Sequence, residues 1–343
     1  MRVLFVKLTS MGDLIHALPA LTDAMRAIPG ISFDWVIEKN FSEVATWHPA
    51  IKNIIPTSHR KWKKHLWQSI KNGEIKNFIK SLRREKYDLV IDGQTSSKSA
   101  IVMLLTRGLR CGLDKHSASE WIAHFAYQKK YPAGKELHAI KRLRLLFAQA
   151  LNYQYDVDSK PDYGIEHYRF PELKILLPER YVVFVHNASW NSKLWPESYW
   201  HQLIDLAAND HLHVVLPWGN DFERKRAERL ACEHKNAIVL PFLSLSEQAT
   251  VLKRSQGAVS CDTGLSHLAA ALNVPSVTLY GSTSIQLIGT TGLHQSHFVS
   301  PFECTLCYKY DCYFGGKKHQ DALCMLEVKP EMVWQRFNQK TIS

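Results

Sequence analysis

Short apolar runs alternate with amphipathic stretches along almost the whole chain. "RVLFVKL" (2–8) reads as a buried strand, and helical periodicity follows in "DLIHALPALTDAMRAI" (13–28), where Pro19 predicts a kink or a division. "SFDWVIE" (32–38) and "YDLVIDG" (87–93) read as further strands, the second preceded by a helix from about Lys71 to Arg84. "ELHAIKRLRLLFAQAL" (136–151) is an amphipathic helix with a basic face. Periodicity then lapses through 152–180, a stretch with three prolines that reads as an interdomain connection.

The alternation resumes with strand 181–187, helix 196–209, strand 213–219, helix 221–234, a short strand at 237–240 and helix 246–254. Strands at 257–262 and 276–281 complete the series. Strands separated by helices of this length imply parallel sheets built from right-handed β-α-β crossovers. The expected fold is therefore α/β, with two Rossmann-like, doubly wound domains. The expected boundaries are 1–165 for the first domain, 166–180 for the linker, 181–328 for the second domain and 329–343 for a C-terminal helix.

Composition narrows this picture only at its edges. A chain of 343 residues is long for one core and agrees with two domains. With 45% hydrophobic and 22% charged residues it has the make-up of an ordinary globular protein. No apolar run reaches the roughly 18 residues of a membrane span, and Lys7 interrupts the short apolar start. Seven cysteines without an export signal point to reduced thiols in the cytosol. The net charge of +11 favours an anionic partner: phosphate, nucleic acid or an acidic membrane surface.

Doubly wound sheets bind ligands at the carboxyl ends of their strands, so candidate chemistry belongs in the turns after strands. Four such turns are polar. "TSMGD" (9–13) follows the first strand and brings hydroxyls, a glycine and an acid to a helix start. "ASWNSKLWP" (188–196) carries Ser189 and Lys193, and Asn220 to Glu223 follow "HVVLPWG". "VSCDTGLSHLAAAL" (259–272) runs from a strand through Asp262, Thr263 and Gly264 into a helix carrying His267. One such turn is explained by helix capping. Four at matching positions point to a bound anion, because helix N-termini attract phosphate.

At these residues the chain resembles the lipopolysaccharide heptosyltransferases of glycosyltransferase family 9. The resemblance runs through residues 1–38, "HNASWNSKLWP", "PWG" with Glu223, and "DTGLSHLAAAL", in order along nearly the whole sequence. It is strongest to the branch that adds the first inner-core heptose to Kdo on lipid A. It implies a GT-B architecture, ADP-L-glycero-D-manno-heptose as donor, and inverting transfer to a Kdo hydroxyl, with no cofactor and no catalytic metal. The expected location is the cytoplasm, peripherally at the inner face of the inner membrane. The family's donor site lies mainly in the C-terminal domain and its acceptor site in the N-terminal one.

Carried over, the resemblance makes Asp13 the base that takes the acceptor's proton, with Thr9, Ser10 and Gly12 beside the acceptor. A first-turn helix acid is expected to stay ionised. Thr263 and Gly264 offer a hydroxyl and a backbone N–H to the diphosphate, and Asp262 orients that loop. Ser189 and Lys193 meet charge building on the departing ADP, and Glu223 accepts from the ribose hydroxyls. His267 has two readings, a phosphate ligand or a partner for a backbone carbonyl. The chain departs from the family where Ala188–Ser189 replaces paired threonines. It departs again where "DGQTSSKSA" (92–100) keeps Gln94, Lys98 and Ser99 but lacks the glycine after the glutamine.

Two further stretches stand out. Cys304, Cys307, Cys312 and Cys324 approach four-thiolate zinc spacing, and clustering in space is expected without assigning metal to catalysis. The cluster also leaves open a branch acting on phosphorylated Kdo. In "HRKWKKHLW" (59–67), Arg60, Lys61, Lys63 and Lys64 alternate with Trp62 and Trp67. The resemblance makes this a contact for the anionic acceptor and membrane. Single-stranded nucleic acid would suit the same pattern, but no nucleic-acid module accompanies it. Two rival readings are a GT-B enzyme using another nucleotide sugar and a non-catalytic nucleotide or RNA binder.

Overall fold

The computed structural model describes residues 1–341, which fall into two units, one spanning Met1–Tyr168 and one beginning at Arg169. The first unit contains β1 (Arg2–Val6), β2 (Ser32–Glu38), β3 (Ile51–Thr57), β4 (Leu89–Asp92), β5 (Leu109–Leu113) and β6 (Lys129–Tyr131). They form one parallel sheet in the order β3-β2-β1-β4-β5-β6. The second unit contains β7 (Tyr181–Val185), β8 (His213–Leu216), β9 (Ala237–Val239), β10 (Ala258–Cys261), β11 (Ser276–Tyr280) and β12 (Gln295–Val299). Their parallel sheet runs β12-β11-β10-β7-β8-β9.

Both orders are the same doubly wound pattern, in which the chain reverses direction across the sheet once. The reversal falls between β1 and β4 in the first unit and between β7 and β10 in the second. Helices cover both faces, so the central strands are apolar on both sides. Phe5, Phe33 and Trp35 fill the first core, and Phe184, Trp195 and Trp200 the second.

Some expected elements differ in extent. The 13–28 segment divides into helices Met11–Ile15 and Leu18–Ala27, and Pro19 sits in the first turn of the second, where its missing N–H costs nothing. The helix placed at 71–84 is Glu74–Arg83, set off from a shorter helix, Leu66–Lys71, by Gly73 at φ +73°. A final helix, Pro330–Thr341, packs Val333, Trp334 and Phe337 into the second core; residues 342 and 343 of the expected C-terminal helix lie outside the described residues.

Charge divides unevenly between the units. Residues 1–168 hold 26 Lys and Arg against 16 Asp and Glu, and residues 169–343 hold 17 against 16. Ten of the eleven surplus charges thus belong to the first unit.

The first unit also buries a histidine. His48 Nδ1 accepts from the Ala50 N–H at 3.2 Å, which leaves the ring proton on Nε2, 2.9 Å from the Thr22 hydroxyl. Gly164, at φ +66°, closes over this pair; a Cβ there would lie 2.6 Å from each partner. Burial lowers the His48 pKa to about 4. The unfolded ring takes up its proton near pH 6.5 and the folded ring does not, so stability is full above that pH and is lost as pH falls towards 4. Urea unfolding followed between pH 7 and pH 4 should show a loss approaching about 3 kcal/mol from this group. A His48→Leu chain should lack that component.

Candidate active site

In each unit the crevice at the strand reversal is lined by the residues that follow two strands. In the first unit these are 7–13, after β1, and 93–98, after β4. Gln94 stitches the two together: its Oε1 accepts from the Leu8 and Thr9 N–H groups at 3.1 and 3.2 Å. Lys7, nearly buried, donates to the Gly93 carbonyl at 3.0 Å. Beneath them Asp92, fully buried, accepts from the backbone of Gln94 and Thr95 and from the Tyr127 hydroxyl. Burial raises the Asp92 pKa against these bonds.

Asp13 stands over this base, in the first turn of its short helix. Its Oδ2 accepts from the backbone N–H and the hydroxyl of Ser10, at 2.8 and 2.9 Å. Its Oδ1 faces the Lys7 ammonium at 3.9 Å, and the side chain is 42% exposed. One carboxylate oxygen thus holds the turn while the other remains available to a ligand. Thr9, Ser10 and Gly12 lie in the same turn.

In the second unit the reversal lies between β7 and β10. Asp262, 3% exposed at the end of β10, is the hub. It accepts from Lys193 Nζ at 2.7 Å and from the Thr283 hydroxyl at 2.6 Å, and His267 Nε2 lies 3.7 Å from its other oxygen. Burial works against the charged carboxylate, but the His267 hydrogen bond and the Lys193 charge more than offset it and hold the pKa well below its ordinary range. Lys193 also lies over the Trp190 ring, 4.8 Å from its centroid. Thr263 caps an eight-residue helix that begins at Gly264, with the Ser266 hydroxyl turned back to the Thr263 carbonyl at 2.6 Å.

The structure therefore brings Lys193, Asp262 and His267 into one network, with Thr263 and Gly264 following directly at the helix start. Ser189 is exposed in the loop after β7 and takes no part in the network. Glu223 lies after β8, where its Oε2 accepts from the Gly219 N–H at 2.8 Å. His267 is 6% exposed and turned to Asp262, a third role besides the two expected for it. Behind β7, His186 is fully buried, and burial with the Arg226 charge lowers its pKa to about 3.

One contributor, Thr283, is absent from the sequence reading, and the cysteine-rich segment enters with a role not expected of it. Thr283 belongs to "GSTS" (281–284) after β11, a polar turn at the same sheet edge as the others and readable by the same rule. The cysteine-rich segment has a structural part here. Leu306 and Tyr308 N–H groups donate to the Gly281 and Ser282 carbonyls at 3.0 Å each, and the Ser192 N–H donates to the Tyr310 carbonyl at 3.0 Å. Asn191 reaches Asp311 at 2.7 Å. Residues 304–312 thus fasten the loops after β7 and β11 around Lys193 and Thr283.

The four cysteines are free thiols near enough to act on one another's charge: burial raises Cys304 and pushes Cys324 up to about 12, and the neighbouring thiols add to both. The zinc-like spacing is not matched by a ligand set. Among the described residues no group of three or more His, Cys, Asp or Glu is placed to hold a metal ion.

The basic stretch forms two short helices, His59–Lys64 and Leu66–Lys71, after β3. Its side chains are not equivalent. Lys61 pairs with Glu74 at 2.6 Å, and Arg60 lies over Phe41. Trp62, expected on the sticky face, instead turns inward, bonding Glu74 through its indole N–H and packing its ring at a tilt against Phe78. Trp67 is 85% exposed.

Residues 75–318 match the family model described as Glycosyltransferase family 9 (heptosyltransferase). A Pseudomonas aeruginosa protein named Lipopolysaccharide heptosyltransferase 1 is 43% identical over 344 aligned positions, covering 100% of this chain and 96% of that one. The Escherichia coli heptosyltransferase WaaC solved with ADP superposes with a TM-score of 0.86 at 38% identity, over 99% of this chain and 100% of that one. The same enzyme solved with ADP-2-deoxy-2-fluoro heptose gives 0.83 at 38% identity over 99% of each.

Proposed function

This chain belongs to glycosyltransferase family 9, and from that premise we propose that it transfers L-glycero-D-manno-heptose from ADP-heptose to a Kdo residue of Kdo-lipid A, with inversion. The observation that carries the donor assignment is the buried Lys193–Asp262–His267 network beside a helix N-terminus, together with the adenine-nucleotide ligands of the relative that superposes throughout its length.

The second unit binds the nucleotide sugar. An ammonium has three donors; Asp262 takes one from Lys193 and leaves the others for the diphosphate. The amides at Gly264 add the partial positive charge of the helix start. As the bond to the sugar breaks, negative charge grows on ADP, and these donors are already aimed at it. Asp262 keeps Lys193 extended towards the phosphates, and Thr283 and His267 fix Asp262. Glu223 reads the ribose hydroxyls with the carboxylate oxygen that Gly219 does not hold, and Ser189 adds a hydroxyl from the loop after β7.

The first unit binds the acceptor and supplies the base. Asp13 Oδ1 removes the proton from the attacking hydroxyl as that oxygen approaches the anomeric carbon. Thr9, Ser10 and Gly12 line its approach. Arg60, Lys61, Lys63 and Lys64 meet the acceptor's phosphates and carboxylates at the inner face of the membrane. In this reading the contact with that membrane is peripheral; among the described residues no helix is long and apolar enough to cross one.

Neutralising Arg60, Lys61, Lys63 and Lys64 together should raise the acceptor KM at least tenfold, since each basic group near an anionic surface contributes roughly 1 kcal/mol. The Kd for ADP should stay unchanged. Lys61 should contribute least, because Glu74 already offsets its charge. Equal weakening of both ligands would place the segment in the donor site.

A further inference from the structure

The 3₁₀ turn Trp121–Ala126 and the helix Ser97–Leu105 carry a surface that the transfer reaction does not use. With three residues per turn, a 3₁₀ segment stacks its side chains in ridges. Ala123 and Ala126 form one ridge and are buried against Val102 and Met103. Ile122 and Phe125 form another, and with Trp121 they face outward at 50, 68 and 63% exposure. The packed helix shows the same inversion. Ile101 and Leu104, on the opposite side from the buried pair, are 61 and 58% exposed.

The pieces are joined at their base. Glu120, just before the turn, accepts from the Ser97 N–H at 3.0 Å, and Thr95 and Ser119 bond each other at 3.1 Å. On the turn the Trp121 and Phe125 rings lie against each other with centroids 5.9 Å apart and Ile122 beside them in sequence, while Ile101 and Leu104 form a separate exposed pair on one face of the helix. Isolated exposed apolar residues are ordinary, but a contiguous apolar patch marks an interaction surface.

We propose that the turn's patch is a membrane-docking surface that inserts Trp121, Ile122 and Phe125 into the headgroup boundary of an anionic bilayer. The charge around it selects that occupant. The patch belongs to the unit with ten surplus positive charges. Lys98, exposed on the first turn of the packed helix, acts on Glu38 and His59, which places the helix start beside that of the basic helix His59–Lys64. The acid at the rim, Glu120, is tied to the Ser97 N–H and faces Lys98. A second copy of this chain would bring the same positive field against itself. An anionic lipid surface accepts both the field and the aromatic side chains, which favour the boundary between water and hydrocarbon. The inference extends the reading of the acceptor as membrane-borne, but it stands on the patch itself.

The test uses the full chain and lipid vesicles without acceptor, so its outcome is separate from that of any transfer assay. Wild-type protein should float with phosphatidylethanolamine–phosphatidylglycerol vesicles and far less with phosphatidylcholine alone. Trp121→Ser with Phe125→Ser should weaken binding to the anionic vesicles more than about tenfold. Melting temperature and turnover on a soluble, deacylated acceptor should not change, because both side chains are exposed. Brominated acyl chains should quench wild-type tryptophan fluorescence more than that of Trp121→Ser alone. Wild-type vesicle affinity in the double variant, or equal quenching of the two proteins, would overturn the proposal. So would a shift from dimer to monomer with vesicle binding intact, which would assign the patch to self-association.

Discussion

Asp13→Asn is expected to lower kcat by roughly 10²–10⁴-fold, the usual contribution of a positioned general base. The amide keeps the size of the side chain, and its oxygen can still accept from the Ser10 N–H, which Asp13 Oδ2 does at 2.8 Å. What it loses is the capacity to accept the acceptor's proton. Asp13 and the Lys193–Asp262 network belong to different units, so ADP should bind the variant as it binds the wild type. If the carboxylate served only to close the turn with Ser10, turnover would be nearly normal and stability would fall by about 0.5–2 kcal/mol, the range for a lost helix cap. Measuring kcat, the ADP Kd and the melting temperature on one preparation separates the two roles.

The second large effect concerns Asp262 and Lys193. Their side chains are 3 and 13% exposed, and removing either leaves the other charge in poor solvent. Asp262→Asn or Lys193→Met alone should destabilise the chain by about 3–5 kcal/mol, the cost of an unpaired buried ion. The double variant should recover much of that loss, giving a coupling of about 2 kcal/mol or more in a double-mutant cycle. Stability and binding should then part company. Lys193→Met should weaken ADP about 10–100-fold by removing charge-assisted hydrogen bonds to phosphate, and the double variant should not regain that affinity. Additive stability losses would mean that the pair is not a unit. Recovered ADP binding in the double variant would remove Lys193 from the donor site.

The sheets were legible where strands are buried on both faces. "YVVFV" has no polar side to confuse its reading, and "SFDWVIE" keeps Phe33, Trp35 and Ile37 on one face although Ser32, Asp34 and Glu38 share the other; the structure places β7 and β2 there. Strands at or towards the sheet edge were not. β3 carries Lys52, Asn53 and Pro56, tolerable only because it is an edge strand, while β6 is three residues long. β5 contains Gly112, needed where the Tyr127 ring lies so close that a Cβ would meet it at 2.4 Å. None of these shows the apolar run of a central strand.

The candidate site was legible at the level of turns, because strand-to-helix junctions announce themselves by glycine, hydroxyl and acid. Its wiring was not. That Asp262 would gather Lys193, His267 and Thr283 depends on tertiary approach over 69 and 21 residues of chain for the first and last of these. The inward turn of Trp62 depends likewise on Glu74 and Phe78, which lie a helix further on. Sequence spacing places the four cysteines near one another but says nothing of where their sulfurs point.

Heptosyl transfer from an adenine-nucleotide donor to Kdo can be followed by incubating the purified chain with ADP-heptose and Kdo-lipid A and reading both products by mass spectrometry. The acceptor should become heavier by one heptosyl unit, joined with inverted anomeric configuration, and one ADP should be released per transfer. UDP- or GDP-linked sugars should give no product. Turnover with one of those donors, or none with ADP-heptose from a folded chain, would contradict that assignment.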